Sequence, residues 1–152
     1  MKREDLPALL HVLAGLMAMG VSFLTRGDGL IPKVVARPVG MSVFILGMAL
    51  FTWALAYLKR AFLGNVLPVT DRLIRTGPYR WIRHPLYLGM GVALLGLAVA
   101  MGSLWGVAGV LALFLPAGTY RARQEEKALA RRFGREWQDY AREVHFLLPM
   151  LW

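Results

Sequence analysis

Residues Pro85–Tyr120 form an unbroken run of 36 residues without one charged side chain. As a single α-helix it would measure about 54 Å, against a bilayer hydrocarbon core of about 30 Å. The run is too apolar for water and too long for one crossing, so it must fold back. Gly102-Ser103, near its middle, is the expected turn. Each half then has about 17 residues, at the short end for a span, and the second half can lengthen by continuing as helix past Tyr120.

Two other stretches fit the same reading. Pro7–Leu24 has 18 residues with His11 as its only ionisable side chain, and Val39–Leu58 has 20 uncharged residues. The expected fold class is an all-α integral membrane protein. Four transmembrane helices, about 7–24, 39–58, 85–102 and 103–120, precede a cytoplasmic C-terminal segment, 121–152, all in one domain, 1–152. A hydrophobic content of 57% agrees. Nothing alternates with period two, which argues against a membrane β-barrel. With no cysteine there is no disulfide, no Cys-ligated metal and no Cys nucleophile. Pro7–Leu24 is long for the apolar core of a cleaved signal peptide, about 7–15 residues, so it is expected to remain as a span.

The net charge of +9 would suggest nucleic acid in a soluble chain. Here the basic residues flank apolar runs, which makes the bilayer the partner and orientation the purpose. With both termini in the cytoplasm, 15 of the 18 Lys and Arg residues lie inside and only Arg26, Lys33 and Arg37 outside. An inner, cytoplasmic membrane is the expected location. His11 is expected to be satisfied by a neighbouring helix or by the interface.

The tail differs in kind. Leu129, Phe133, Trp137 and Tyr140 recur at i, i+4, i+8 and i+11, one stripe of an amphipathic helix over Gln124–Glu143. Such a helix lies on the membrane or on the protein's own cytoplasmic face. Phe146–Trp152 is an apolar end piece that needs cover.

Two charged constellations then meet. Arg75, Arg80, Arg83 and His84 gather just before Pro85, a favoured first residue of a helix because its missing N–H would be unpaired there anyway. A helix N-terminus attracts anions. Tyr87 follows one turn in, with Gly89 and Gly91, each glycine about 1 kcal/mol worse than alanine in helix propensity. Close approach by a neighbouring helix or a ligand would account for both. Beyond the fourth span stand Arg121, Glu125 and Glu126. A hairpin brings Arg83, His84 and Tyr87 to face Arg121, Glu125 and Glu126 across one cytoplasmic mouth. Donors for a carboxylate then oppose acceptors for cations and hydroxyls, which suits a zwitterion carrying a sugar. Interfacial salt bridges, such as Arg121 with Glu125 at i, i+4, explain the same residues equally well.

The pair GPYRWIRHPLYLG and RQEEKALARRFGREWQDYAREVHFLLP, separated by an apolar hairpin, closely resembles the isoprenylcysteine carboxyl methyltransferase family. That family is similar in turn to phospholipid N-methyltransferases. The resemblance covers about residues 60–149, including the lead-in GNVLPVTDRLIRTGPYR. It implies an integral membrane enzyme that binds S-adenosylmethionine at the cytoplasmic end of the hairpin and methylates a lipid-like or prenylated acceptor, with no metal. Arg83, His84, Tyr87, Gly89, Gly91, Glu125 and Glu126 resemble the family's cofactor-pocket residues. Arg121 resembles the arginine that holds the acceptor's reacting group. The chain departs from the pattern in its four expected spans, where several members have five or more, and in His145, where a basic residue often precedes the aromatic. Acceptor specificity is expected to lie in the divergent first half.

Methyl transfer from a sulfonium is an in-line displacement that asks for alignment and exclusion of water. A carboxylate or thiolate acceptor needs no strong base, whereas an ammonium does, and Glu126 is the expected one. Phospholipid amine N-methylation is therefore the alternative within the class. A similar signature occurs in NADPH-dependent sterol reductases, whose chains hold about ten spans and are far longer. A non-enzymatic membrane subunit or small transporter is the alternative of another class. A transporter would more often place polar or broken helices at the bilayer midplane.

Overall fold

The computed structural model of the protein describes residues 6–29, 32–58 and 73–147. The lead-in 64–72, most of the apolar end piece and the N-terminal Lys2 and Arg3 lie outside the described residues. Helix α1 is Leu6–Leu24 and α2 is Lys33–Leu58. A 3-10 turn, Gly77–Arg80, leads to α3, Pro85–Ala100. Helix α4 runs unbroken over Leu104–Phe133, and α5 is Arg135–Glu143. The fold is all-α, and the chain is an integral membrane protein.

Three helices, α1, α2 and α4, are long and apolar enough to cross a membrane. Helix α3 is apolar but has 16 residues, about 24 Å of rise, so the expected third span is shorter than a full crossing. It ends at Ala100 because Gly102 takes φ +63 and reverses the chain. Ser103 then caps α4, its Oγ accepting from the Gly106 N–H at 2.8 Å, while the Asp28 carboxylate accepts from the Leu104 N–H at 3.0 Å. Helix α2 begins at Lys33, not at Val39. Pro38 is tolerated in its first turns, and Lys33 and Arg37 belong to the helix.

Helices α2 and α3 meet backbone to backbone. A β-carbon on Gly47 would stand 2.3 Å from the Ala93 nitrogen, and one on Gly96 would stand 2.3 Å from the Phe44 nitrogen. Close approach through small residues replaces the hydrophobic effect as the adhesive between helices in lipid. Helix α4 packs on α1 and α3 and carries one π turn, Val110–Phe114. Pro116 stands two residues beyond it and has no N–H to give to the carbonyl four residues back. The wide turn absorbs that defect, with the Leu115 N–H bonding the Val110 carbonyl. It also delivers Val110 and Phe114 into the core beside Ala18.

The amphipathic stripe of the tail is split between two helices. Gly134, at φ +51, ends α4 and starts α5. The stripe still buries as one cluster, because Trp137, Tyr140 and Val144 fold back onto Leu129, Phe133 and Leu73.

Candidate functional site

Pro85 starts α3, as expected, and His84 occupies the N-cap position without spending its side chain on the cap. The imidazole is free to point at α4. Two turns of α4 beyond the apolar stretch carry Arg121, Glu125 and Glu126 to the same end of the bundle. The result is one compact charged cluster. His84 Nε2 lies 3.3 Å from Glu126 Oε1, and Arg83 reaches the same oxygen at 3.3 Å. His84 Nδ1 lies 3.8 Å from Glu125, Arg121 Nε lies 3.5 Å from Glu125, and the Tyr87 hydroxyl donates to Glu125.

The balance of the cluster bears on what it can hold. Arg83, Arg121, Glu125 and Glu126 sum to zero charge, and both acids and both bases are largely buried: the side chains of Arg83 and Arg121 are 9% and 11% exposed. Most of the contacts are longer than the usual 2.7–2.9 Å of a charge-assisted hydrogen bond. Among the described residues, the Nε atoms of both arginines are buried without a hydrogen-bond partner. Buried polar atoms of this kind are rare and call for an explanation such as a ligand. A zwitterion with hydroxyls could exchange for these loose mutual pairs group by group.

The cluster has a roof and a floor. The C-terminal strand-like segment pairs with the residues before Pro85: the Arg83 N–H donates to the His145 carbonyl at 2.8 Å and the His84 N–H to the Phe146 carbonyl at 3.3 Å. The Phe146 ring stands edge-on to His84 at 5.0 Å, with the Arg83 guanidinium 5.6 Å from its centre. Helix α5 holds this roof down. The Tyr140 hydroxyl donates to the Tyr79 carbonyl at 2.7 Å, and Arg75 both donates to the Glu136 carbonyl and pairs with its carboxylate at 3.6 Å. Burial first, and then the Glu125 carboxylate, pushes the Tyr79 phenol well above its usual range; burial does the same to Tyr140 against the pull of Arg83 and Arg75.

The floor comes from His11. It is buried, and among the described residues its Nδ1 has no hydrogen-bond partner, so no described helix satisfies that nitrogen. Its ring meets Tyr87 edge-on at 5.1 Å and Phe114 at 4.4 Å. It lies against α4 at Gly118, where a β-carbon would come within 2.9 Å of its Cε1. The signal was present in the sequence: an ionisable side chain inside a membrane span is a functional hypothesis by default.

Gly89 and Gly91, both on α3, part company. Gly91 faces α4, next to Leu115 and Phe114, below the cluster. Gly89 faces away from it, into the α2 seam, where a β-carbon would stand 2.6 Å from the Phe51 nitrogen. Of the residues singled out in the sequence, the structure therefore brings together Arg83, His84, Tyr87, Arg121, Glu125 and Glu126. Gly91 lies beneath them and Gly89 lies outside.

The chain is similar to known membrane methyltransferases in sequence and in fold. The sequence model of phospholipid methyltransferases matches residues 35–136. Phosphatidylethanolamine N-methyltransferase B of Dictyostelium discoideum is 32% identical over 93 residues, 58% of this chain and 46% of that protein. A probable protein-S-isoprenylcysteine O-methyltransferase of Oryza sativa subsp. indica is 29% identical over 117 residues, 74% of this chain and 61% of that protein. The solved structure of the eukaryotic intramembrane Ras methyltransferase, an isoprenylcysteine carboxyl methyltransferase, aligns with a TM-score of 0.64 at 25% identity, over 76% of this chain and 42% of that one. The chain spans about half the length of the curated relatives it matches. The matched stretch includes all six residues of the charged cluster and about two thirds of the sequence, and on that ground the chain belongs to the phospholipid methyltransferase family.

Proposed function

We propose that the chain, as a single membrane domain over 1–152, is an S-adenosylmethionine-dependent methyltransferase. Its acceptor is a lipid-like or membrane-partitioned molecule bearing a carboxylate or a thiol. The observation that carries this reading is the neutral, largely buried cluster of two arginines, two glutamates, His84 and Tyr87, in which both arginine Nε atoms lack hydrogen-bond partners among the described residues. When bound, S-adenosylmethionine supplies an electrophilic methyl on a sulfonium. Glu125 and Glu126 would receive its ammonium and ribose hydroxyls. Arg83 and His84 would receive its carboxylate, with Tyr87 beneath. Phe146 and the paired backbone at Arg83–His84 keep water out, which strengthens every charge interaction inside.

Arg121 takes the acceptor side. Its guanidinium lies 5.6 Å from the Tyr87 ring centre, at the point where α4 emerges from the apolar part of the bundle. A guanidinium can hold a carboxylate through two parallel N–H bonds, which fixes the nucleophile's direction. The cluster lies at the end where Lys and Arg are concentrated, and this supports a cytoplasmic mouth with both termini inside. A polar cofactor would enter there from the cytoplasm, and a lipidic acceptor would enter sideways between helices.

The match to the phospholipid methyltransferase model favours a second acceptor class, the amine of a phospholipid. An ammonium must lose a proton before attack, and Glu126, shared between Arg83 and His84, is the group placed to take it. Calorimetry on the purified protein in detergent tests the common element. S-adenosylmethionine and its demethylated product should bind, NADPH should not, and Glu126→Gln should weaken binding by about 1.5–3 kcal/mol, the scale of a hydrogen bond to a charged group. NADPH binding, or no nucleoside binding, ends the methyltransferase reading. Transfer of labelled methyl to phosphatidylethanolamine rather than to fatty acid or thiol would select the second acceptor class.

A further inference from the structure

The end of the bundle away from the charged cluster holds an unassigned cavity. Its volume is about 520 Å³, within the range of small-molecule sites, about 300–1,000 Å³. Arg26, Lys33 and Arg37 line it, with Met41, Leu97 and Met101 as an apolar wall. Because α3 runs from Pro85 to Ala100, this cavity and the cluster are separated by its full length, about 24 Å. The three cations come from two elements. Arg26 leaves α1 with its guanidinium 4.8 Å from the Phe23 ring centre, whereas Lys33 and Arg37 sit one turn apart on α2.

Three like charges around one cavity repel one another, yet among the described residues none of them makes an ion pair. The nearby acid in sequence, Asp28, is turned to the α4 N-terminus, where it accepts from the Leu104 N–H. The loop that carries Arg26 is fastened, not loose: the Gly29 N–H donates to the Gly102 carbonyl at 2.7 Å and the Gly27 N–H to the Met101 carbonyl at 3.1 Å. Backbone bonds hold the Arg26 loop and helix α2 holds Lys33 and Arg37 around the cavity, with no counter-ion among the described residues. They are also the three that stand on the side which charge bias would keep poor in Lys and Arg.

We propose that this cavity binds the phosphate headgroup of an anionic phospholipid in the leaflet opposite the charged cluster. The charge complementarity asks for an anion. The apolar wall formed by α2 and α3, at the end of helices that cross the bilayer, selects a lipid over a free ion. Arg37 and Arg26 would fork the phosphate oxygens, and Lys33 would act as a point charge. The acyl chains would descend along Met41 and Leu97.

Native mass spectrometry of the detergent-purified chain tests this with phosphatidylglycerol, phosphatidylcholine of identical acyl chains, and inorganic phosphate. Phosphatidylglycerol should be retained over phosphatidylcholine, and Arg26→Gln, Lys33→Gln and Arg37→Gln should each weaken it by about fivefold, the equivalent of about 1 kcal/mol per cation. Arg123→Gln and Arg142→Gln, exposed cations at the other end, should leave that retention unchanged. Melting curves confirm that each variant is folded. Equal retention of the two lipids, equal loss in the Arg123 and Arg142 variants, or displacement of the lipid by millimolar phosphate would each overturn the proposal. The readout does not depend on methyl transfer, so its failure leaves the proposed activity standing, and the converse also holds.

Discussion

Arg121→Lys separates acceptor binding from cofactor binding. In the structure Arg121 is mostly buried, and its Nε lies 3.5 Å from Glu125 one turn further along α4. Lysine keeps the positive charge and can reach the same carboxylate, so the electrostatic support of Glu125 survives. The planar fork and the guanidinium face over Tyr87 do not survive. One charge-assisted hydrogen bond to the acceptor is then missing in the transition state, about 1.5–3 kcal/mol. At 1.36 kcal/mol per factor of ten, turnover should fall about 10- to 150-fold. Affinity for S-adenosylmethionine should stay within about threefold, because lysine keeps the positive charge that pairs with Glu125. The assay couples calorimetry with incorporation of tritiated methyl into a membrane lipid extract. Wild-type turnover with lysine would reduce Arg121 to an interfacial anchor. An equal fall in affinity and turnover would move it into the cofactor pocket.

Three other outcomes follow from the fold. Gly20 has nothing within 4 Å of its would-be β-carbon, so Gly20→Ala should raise stability by about 1 kcal/mol; Gly47→Ala, aimed at the Ala93 backbone, should lower it by about 1–3 kcal/mol, and a same-sign pair in denaturant titrations would refute the seam. Trp105 is 64% exposed at the turn end of α4, so Trp105→Cys should react with an impermeant thiol reagent on intact cells, and protection there with labelling of Arg123→Cys would invert the topology. Tyr79 and Tyr140 have raised pKa values in the folded chain, so their contribution is fully present below pH about 10 and is lost above it as the unfolded state ionises first; melting temperature should fall above that pH, less steeply in Tyr140→Phe, and an unchanged slope would refute the role of that phenol.

How much of this was legible depended on which physical constraint the residues expressed. The hairpin at Gly102-Ser103 was forced, since no bilayer accommodates the run around it. The convergence of His84 with Glu126 followed, because a hairpin has only one way to bring its outer ends together. The start of α2 was misplaced because Lys33 and Arg37 read as loop charges, although long cationic side chains at a helix end can reach water from inside the helix. The break at Gly134 was hidden because the spacing of Leu129, Phe133, Trp137 and Tyr140 continues through it. Gly89 and Gly91 looked like one feature. Two residues apart on a helix they project about 200° apart, one into α2 and the other toward α4, and only the packing partner distinguishes them.

His11 marks the limit of reading each helix alone. On α1 it is the one ionisable residue in an apolar run, and solvation by the interface would suffice to explain it. In the bundle its Nδ1 is enclosed among Tyr87, Phe114 and Gly118 with no partner among the described residues, an arrangement that destabilises the fold unless something else uses it. Phenylalanine would preserve the ring contacts and remove the orphaned nitrogen, so His11→Phe should hold or raise stability, by up to about 1–3 kcal/mol. If the nitrogen serves the methyl acceptor, the same variant should lose turnover while binding S-adenosylmethionine as before. A gain in stability joined to a loss of turnover is the pattern of a group kept for function at the expense of packing. Unchanged turnover in a variant that melts higher would refute the role and leave His11 as a defect of the core.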